Sequence, residues 1–368
     1  MPEVLVKGKR LLAVFMLVTL SGCVRINSGQ AAYGGKLRVL VVKGASLITV
    51  KGSSAGNTLK VGRFRPGRAL VDGKYKALPI RFFPKGEAVY LNNKSYRGVI
   101  EIYDEGKGLM IVNELSVEAY LAGIVSNEIP AGWPEDALKA QAVIARTYAL
   151  YHKKKRLNDK YHIEGSVLGQ VFGGMASENP ATTRAVDDTK GEIVAYNREP
   201  ALTVYHSNAG GRTDRALDVW SSDYPYLVSV ESPYDSASPG LNWEFAVQAG
   251  SFMTLLNASG YSLTEPEGIY AESKTPSGRI KTLIVKDEKS GSVRLSGEDL
   301  RRLLGYSSLK SSIYKVSKTN GLFIFTGKGS GHGVGLSQWG AKGMAENGYS
   351  YKKILMHYYP GTSIIKAY

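Results

Sequence analysis

The sequence predicts an α+β protein, in which a small N-terminal antiparallel β module precedes a domain of mixed helices and strands. Glycine is abundant at 42 residues and tyrosine at 23, a composition that favours strands and turns over a helical bundle. Apolar residues alternate in short runs from Lys36 to about residue 110 and then recur at helical spacing. The 368 residues are enough for two or three domains.

The N-terminal residues predict export and a membrane anchor. A basic start precedes an apolar run at residues 11–20, which is too short to span a bilayer comfortably but suits a signal peptide. The run ends in Leu-Ser-Gly-Cys, which resembles the lipobox of bacterial lipoproteins. We therefore expect a signal peptide at 1–22, a lipid on Cys23 and a tether at 23–34, in a cell-envelope protein that faces the periplasm or the exterior. An ordinary signal peptide with a chance cysteine is the alternative.

Charge and cysteine content limit the classes of binding partner, disulfide and metal site that this protein can have. The formal net charge is +15, and a basic surface outside the cytoplasm suits an anionic envelope polymer or a lipid surface better than nucleic acid. Lysines that serve solubility alone would give the same total. Because Cys23 is the single cysteine, an intramolecular disulfide and a zinc site of two or four thiolates are both excluded.

The β module is predicted at residues 35–110. Its short β-rich runs are separated by glycine, proline or asparagine, and the stretch LNNKSY at 91–96 predicts a hairpin. Residues 111–368 are expected to form the second domain, with a mixed α/β sub-region at about 240–325.

A helix is predicted directly after the β module. Ser116 is a suitable cap for it, and its apolar stripe continues onto the face that carries Glu128, until Pro130 ends the helix. A second helix begins at Pro134, a favoured first-turn residue.

Further elements follow from composition and periodicity. Strands are predicted in the stretches 169–174, 191–196, 201–213, 280–287 and 321–329, and helices at 250–258 and 296–305. The C-terminal stretch predicts a glycine-rich loop, a helix and a short helix that closes at Pro360.

Glu128 is the leading candidate for chemistry. A carboxylate on an apolar stripe, beside Ile129 and Trp133, should lose solvation, which raises its pKa and suits a general acid near neutral pH. The N-terminus of the helix that begins at Pro134 would instead stabilise the charged form. A solvent-exposed glutamate at a helix end is the third interpretation.

A second candidate is the stretch YHSNAGG at 205–211. It places His206 and Ser207 before Gly210 and Gly211, a tight turn whose exposed backbone N–H groups could bind an anion or a hydroxyl-rich ligand. A plain polar turn is the alternative.

A third candidate is the stretch GSGHGVGLSQWGA at 329–341. Its glycines surround His332 and lead to Gln338, which indicates a ligand-contacting loop rather than a flexible surface loop. A zinc site from His206, His332 and a carboxylate is conceivable, but no HxxxH or HxH spacing supports it. We therefore expect no metal and no cofactor.

Taken together, these stretches resemble the SpoIID/LytB domain family of stage II sporulation protein D and amidase enhancers. The similarity covers roughly residues 110–365. It rests on the segment VNELSVEAYLAGIVSNEIPAGWPEDALKAQAVIARTYAL and on GQVFGG, YHSNAGGRT and GHGVGLSQWGA, which occur in that order.

The resemblance implies a peptidoglycan lytic transglycosylase. Such an enzyme would cleave the MurNAc-GlcNAc bond of denuded glycan strands, leave 1,6-anhydro ends and have a cell-wall amidase as partner. Glu128 matches the family's catalytic acid in the NE-x-P segment. Some members bind zinc through a nearby cysteine, where this chain has Asn208 and Ala209. A non-catalytic glycan-binding enhancer of an N-acetylmuramoyl-L-alanine amidase is the alternative, because fold does not prove catalysis.

Several residues are expected to bind or orient the glycan. They are Lys139, Arg146, Gln170, His206, Ser207, Gly210, Gly211, His332 and Gln338. Lys139 and Arg146 lie seven positions apart on the predicted helix and so share a face, where two cations would suit the lactyl carboxylate of muramic acid. A hydrolytic muramidase with Asp214 or Asp218 as second carboxylate is a weaker hypothesis.

Overall fold

The computed structural model describes residues 34–52, 58–165, 170–289 and 291–368. The predicted signal peptide, nearly all of the tether and Cys23 lie outside these residues. Helices and several sheets occur together in the described part, which confirms the α+β class. None of the described helices is both long enough and apolar enough to cross a bilayer.

The first part of the described chain is built from strands. They are β1 (Lys36–Ala45), β2 (Leu47–Lys51), β3 (Leu59–Arg65), β4 (Arg68–Val71), β5 (Lys74–Ala77), β6 (Ile80–Phe82), β7 (Val89–Leu91), β8 (Lys94–Tyr96), β9 (Val99–Asp104) and β10 (Leu109–Ser116). A later strand, β11 (Ile163–Glu164), completes a five-stranded sheet in the order β11-β1-β10-β9-β6, beside a six-stranded sheet in the order β5-β4-β3-β2-β7-β8. The predicted hairpin at 91–96 is the turn between β7 and β8, where Asn92 and Asn93 have positive φ.

The expected boundary at residue 110 falls inside β10. This strand pairs with β1 as far as Lys36 opposite Ser116, and Ser116 then caps the next helix by accepting a hydrogen bond from Ala119 N–H. Almost every side chain of β10 is buried, so no change in hydrophobic alternation marks the point that was predicted as a boundary. The β module therefore continues directly into the helical part.

The helices of the described part follow β10. They are α1 (Val117–Ala122), α2 (Val125–Glu128), α3 (Glu135–Lys155), α4 (Pro180–Asp188), α5 (Ala216–Trp220), α6 (Ala249–Ala258), α7 (Gly297–Leu304), α8 (Gln338–Glu346) and α9 (Tyr351–Tyr358). The long helix α3 is central, and its fully buried residues Ala142, Ala145 and Ala149 allow neighbouring elements to approach closely. These helices confirm the predictions for Ser116, 250–258, 296–305 and the C-terminal pair.

Short sheets complete the second domain. Their strands are β12 (Glu192–Tyr196), β13 (Glu199–Pro200), β14 (Tyr205–His206), β15 (Asn242–Gln248), β16 (Pro266–Lys274), β17 (Ile280–Asp287), β18 (Ser292–Ser296), β19 (Tyr314–Thr319), β20 (Leu322–Lys328), β21 (Leu336–Ser337) and β22 (Ser363–Lys366). Strands β15 to β20, with α6 and α7, enclose a core of their own that includes Phe252, Leu283 and Phe325. This unit corresponds to the predicted mixed sub-region.

Three predictions of secondary structure were wrong. The stretch 169–174 contains no strand in its described residues and leads into a 3₁₀ turn at Gly174–Ser177. Only Tyr205–His206 of the stretch 201–213 is a strand, and Asn208 and Arg212 form no more than isolated bridges with Ser330 and Glu231. The helix after Ser116 stops at Gly123, where a Cβ atom would lie 2.8 Å from the Phe172 ring. The loop docked on that glycine breaks the predicted stripe, and Glu128 lies in the separate one-turn helix α2.

Candidate active site

Glu128 is the last residue of α2 and its side chain is partly buried. The backbone N–H of Val171 donates to Glu128 Oε1 across 3.2 Å. Burial raises the pKa of Glu128 above its usual 4.5, although the hydrogen bonds from Val171 and from the Tyr205 hydroxyl oppose that change. Loss of solvation therefore outweighs these two hydrogen bonds, which favours a carboxyl group with a raised pKa over a fully exposed glutamate.

The loop that contains Val171 is fastened to α2. Asn127 Nδ2 donates to the Val171 carbonyl at 3.0 Å and to the Gly123 carbonyl at 3.2 Å. The Ser126 hydroxyl donates to the Ser177 carbonyl farther along the same loop. The Glu128 carboxyl group is thus held between a short helix and a loop that is anchored at both ends.

A chain of hydrogen bonds runs from the core to Glu128. The Tyr120 hydroxyl donates to Gln170 Oε1 at 3.2 Å, and Gln170 Nε2 donates to the Tyr205 hydroxyl at 3.4 Å. Burial raises the pKa of Tyr205 well above its usual 10.0, so its neutral hydroxyl is available as a donor to Glu128. Gln170 is fully buried, and it orients Tyr205 instead of reaching a ligand as predicted.

Gln338 and two tryptophans lie on the other side of α2. Gln338 Nε2 donates to the Glu128 carbonyl at 3.3 Å and to Gln141 Oε1 at 3.4 Å. The Trp339 backbone N–H donates to the Ser207 carbonyl at 3.0 Å. The Trp133 and Trp339 rings meet edge to face with centroids 5.1 Å apart, and both are partly exposed. The structure therefore brings Glu128, Ser207 and Gln338 together beside an aromatic pair.

The two predicted histidines are neighbours. Their ring centroids are 5.3 Å apart, and burial lowers the pKa of both rings, that of His332 to about 3. His332 Nε2 lies 3.0 Å from the Tyr205 carbonyl, and its Nδ1 accepts from Val334 N–H. Both ring nitrogens of His332 are thus engaged by backbone, and the rings act as neutral supports for the strand that carries Tyr205.

Among the described residues, His206 and His332 do not form a zinc site with a carboxylate. His206 Nδ1 is used by the Val334 carbonyl, which leaves only the buried Nε2 without a partner. In the described ranges no three His, Cys, Asp or Glu side chains lie close enough together to hold a metal ion.

The paired glycines do not offer free donors. Gly210 N–H donates to Asn208 Oδ1 at 2.8 Å, and Gly211 N–H donates to Asp235 Oδ2 at 3.2 Å. Side chains of the protein already satisfy both N–H groups, so the predicted anion-binding role of Gly210 and Gly211 has no support in these contacts.

Lys139 and Arg146, which were predicted to bind the glycan, form ion pairs with carboxylates of the protein itself. Arg146 is completely buried, and its guanidinium donates to the Glu118 carboxylate and to the Val186 and Glu192 carbonyls. Lys139 forms ion pairs with Glu135 and, at 3.1 Å, with Asp188. The prediction that they bind a lactyl carboxylate is replaced by a role in holding α1, α3 and α4 together.

Neither proposed second carboxylate acts on Glu128. Asp214 is completely buried and paired with Arg279 at 3.2 Å, and Asp218 is paired with Lys281 at 3.4 Å. In the described part of the chain no carboxylate contributes to the pKa change of Glu128. Among the described residues, Asp214 and Asp218 are thus engaged by Arg279 and Lys281 and supply no second carboxylate to Glu128.

Sequence reasoning missed Tyr205 and Asp235. Tyr205 stands inside the stretch YHSNAGG and was available as a signal. Asp235 accepts from the Ser337 hydroxyl and from Gly211 N–H, and no motif points to it.

The fold and the site define an α+β protein with a partly buried carboxyl group, Glu128, held between a one-turn helix and the loop that contains Val171. A family model described as Stage II sporulation protein matches residues 105–196, and a domain of unknown function matches 241–335. Both matched segments border the site, since the first contains Glu128 and the second contains His332.

Curated relatives agree with the family match. Stage II sporulation protein D of Bacillus amyloliquefaciens is 33% identical over 70% of this chain and 76% of its own length. An uncharacterised protein of Brachyspira hyodysenteriae is 34% identical over 77% of this chain and 76% of its own. The amidase enhancer of Bacillus subtilis is 31% identical over 66% of this chain, but only 40% of its own length is covered. The chain belongs to the stage II sporulation protein D family.

Proposed function

We propose that this protein is a peptidoglycan lytic transglycosylase that cleaves the MurNAc-GlcNAc bond of denuded glycan strands and leaves 1,6-anhydro ends. The observation that carries the proposal is a single carboxyl group, Glu128, whose pKa burial raises and which no second described carboxylate influences. Hydrolysing glycosidases generally need two carboxylates, whereas an intramolecular reaction needs one that acts twice.

In this proposal the protonated Glu128 gives its proton to the glycosidic oxygen while the bond from C1 to that oxygen breaks. The new carboxylate then takes the proton of the C6 hydroxyl as that oxygen attacks C1 of the same sugar. Attack within one sugar competes well with water because the hydroxyl is already near. The Val171 N–H and the Tyr205 hydroxyl stabilise the carboxylate between the two steps.

The aromatic pair and Gln338 suit a role beside the scissile bond. Trp133 and Trp339 are partly exposed, and tryptophan faces pack well on sugar rings. Gln338 fixes the backbone of Glu128 from the opposite side. The predicted lipid on Cys23 and a cell-envelope location belong to the same proposal, and a Cys23→Ser variant that still incorporates labelled fatty acid would contradict the anchor.

The test is product analysis by mass spectrometry after incubation with glycan that lacks stem peptides. The expected products carry anhydro ends, and Glu128→Gln should lower the rate by about 10²- to 10⁴-fold. The matched control is Glu135→Gln, at an exposed glutamate that is the first residue of α3, and it should keep full activity. Full activity of Glu128→Gln would defeat the assignment, and reducing ends would indicate hydrolysis.

The similarity to a protein named amidase enhancer favours a second candidate, a glycan-binding enhancer of a cell-wall amidase. In that case the purified protein would bind denuded or intact glycan without cleaving it. It would also increase the rate at which an amidase releases stem peptides, equally in wild type and in Glu128→Gln. The two candidates therefore differ in the response to one substitution.

A further inference from the structure

The outer face of the six-stranded sheet carries an exposed apolar stripe. Cα pairing places Leu47 opposite Gly62, Gly62 opposite Leu70, and Leu70 opposite Tyr75, so these residues form one row across four strands. Leu47 is 57% exposed, Leu70 36% and Tyr75 58%. Phe64 extends the row, since its ring centroid lies 4.5 Å from that of Tyr75. A soluble surface rarely places contiguous large apolar side chains in water without a partner.

Cations flank the stripe on the same face. Strand alternation and pairing place Lys51 and Lys60 on one side, and Arg65 and Arg68 on the other. Within the described residues none of the four forms an ion pair, and Arg65 only lies over the Phe64 ring at 5.9 Å. Between positions 34 and 104 the sequence has 14 Lys and Arg residues against four Asp and Glu, which supplies ten of the fifteen net charges. The face is therefore both apolar and strongly basic.

We propose that this outer face, defined by the stripe and its four cations, binds an anionic lipid surface. Apolar side chains on such a face enter the boundary between headgroups and acyl chains, while lysine and arginine meet the phosphates. The two leucines favour lipid over a polysaccharide, because aliphatic side chains have no ring face to stack on sugars. A polar pocket of about 340 Å³ that includes Thr49, Lys51 and Tyr90 adjoins the stripe and suits a headgroup.

The position of the module in the chain supports this occupant. The sequence predicts a lipid on Cys23, and β1 begins about 13 residues later at Lys36. A chain of that length spans at most about 45 Å, so the module would stay close to the bilayer. The inner face of the same sheet shares a core with Leu121 of α1. Its outer face therefore lies on the opposite side of the sheet from that core, and none of the stripe residues or the four cations contacts Glu128 in the described part of the chain.

The experiment is flotation of a protein that begins at Gly34 with vesicles. This protein contains every described strand and helix and all the described hydrophobic cores, which include residues 37 to 367. Binding is expected to vesicles of phosphatidylcholine mixed with phosphatidylglycerol, and not to pure phosphatidylcholine. Leu47→Ser/Leu70→Ser should weaken binding about tenfold. Its control, Leu157→Ser/Leu217→Ser, removes two leucines of similar exposure, 63% and 38%, and should bind normally.

Charge is tested by a matched pair of triple variants. Lys51→Gln/Lys60→Gln/Arg68→Gln should weaken binding about tenfold or more. Lys315→Gln/Lys328→Gln/Lys353→Gln lowers the net charge equally at exposed sites elsewhere and should leave binding nearly unchanged. Unchanged thermal unfolding midpoints show that all variants fold. Equal losses in test and control variants, or binding only to a soluble anionic wall polymer, would overturn the proposal. Vesicle binding is measured without glycan, so its failure is distinct from failure of the proposed function.

Discussion

Arg279 and Asp214 form an ion pair of 3.2 Å, and both side chains are sealed from solvent. Arg279 also donates to the carbonyls of Ala209, at 2.7 Å, and Arg212, at 3.2 Å. It packs so tightly on Gly333 that a Cβ atom there would lie 2.1 Å from Arg279 Cζ. The Arg279 side chain, which lies between β16 and β17, thus connects the unit of strands β15 to β20 with the stretches 205–211 and 329–341 that border the site.

Replacement of Arg279 should strongly lower the stability of the fold. Arg279→Met leaves Asp214 buried without its partner, and we expect a loss of about 3–5 kcal/mol in the free energy of unfolding by urea. Adding Asp214→Asn should recover part of the loss, since no buried charge then remains. The control Arg294→Met breaks an exposed pair with Glu272 and should cost about 1 kcal/mol or less. Equal losses in the two single variants would show that the buried pair contributes nothing special.

The sequence predicted the parts of the fold whose signals are local. Ser116 as a cap, Pro134 at the start of α3 and the Asn92-Asn93 turn each act on neighbouring backbone, so periodicity and residue type were sufficient. The contacts of Arg146 and Gln170 could not be predicted because their partners come from distant segments. Glu128 remains the predicted acid, and its place in a separate one-turn helix was missed because Phe172, which packs on Gly123, is distant in sequence.

Glu128 should destabilise the fold when it is charged. Its pKa is raised in the folded protein, so the proton it binds contributes stability that is present at low pH and is lost as pH rises through the folded pKa. Glu128→Gln, which keeps an acceptor for Val171 N–H, should therefore be more stable than wild type at pH 7 by about 1 kcal/mol. Urea unfolding at several pH values measures this. The gain should vanish below the ordinary glutamate pKa, and a gain that is independent of pH would argue against a titrating carboxyl group.

The hydrogen bond from the Tyr205 hydroxyl should affect the pKa of Glu128. Its hydrogen bond lowers the pKa of Glu128, so Tyr205→Phe should raise this pKa further. Carboxyl ¹³C NMR of Glu128 checks the value without any substrate. If Glu128 is the acid, the alkaline limb of the cleavage profile should move upward as well. Tyr120→Phe, which removes a hydroxyl that hydrogen-bonds Gln170 and not Glu128, should have a smaller effect in the same direction. An identical titration in all three proteins would show that the hydrogen-bond chain does not reach the carboxyl group.

The short pairing of β14 with β21 should depend on Gly335. This residue has φ of 71°, and a Cβ atom would lie 2.1 Å from the Val204 carbonyl oxygen. That oxygen accepts from the Tyr359 hydroxyl at 2.8 Å and from Leu336 N–H, so it has little freedom to move. Gly335→Ala should therefore cost about 2–5 kcal/mol in urea unfolding and displace the strand that leads to Gln338.

Gly211→Ala separates backbone strain from crowding in this experiment. Gly211 also has positive φ, at 103°, but nothing lies within 4 Å of the position of its Cβ atom. Gly211→Ala should therefore lower the free energy of unfolding by only about 1–2 kcal/mol, as expected of alanine in a left-handed conformation. The difference between the two variants then measures the contact with Val204. If Gly335→Ala and Gly211→Ala lose the same stability, the Val204 carbonyl can move aside at little cost. The positions of Tyr205 and Gln338 then do not depend on the close approach at Gly335.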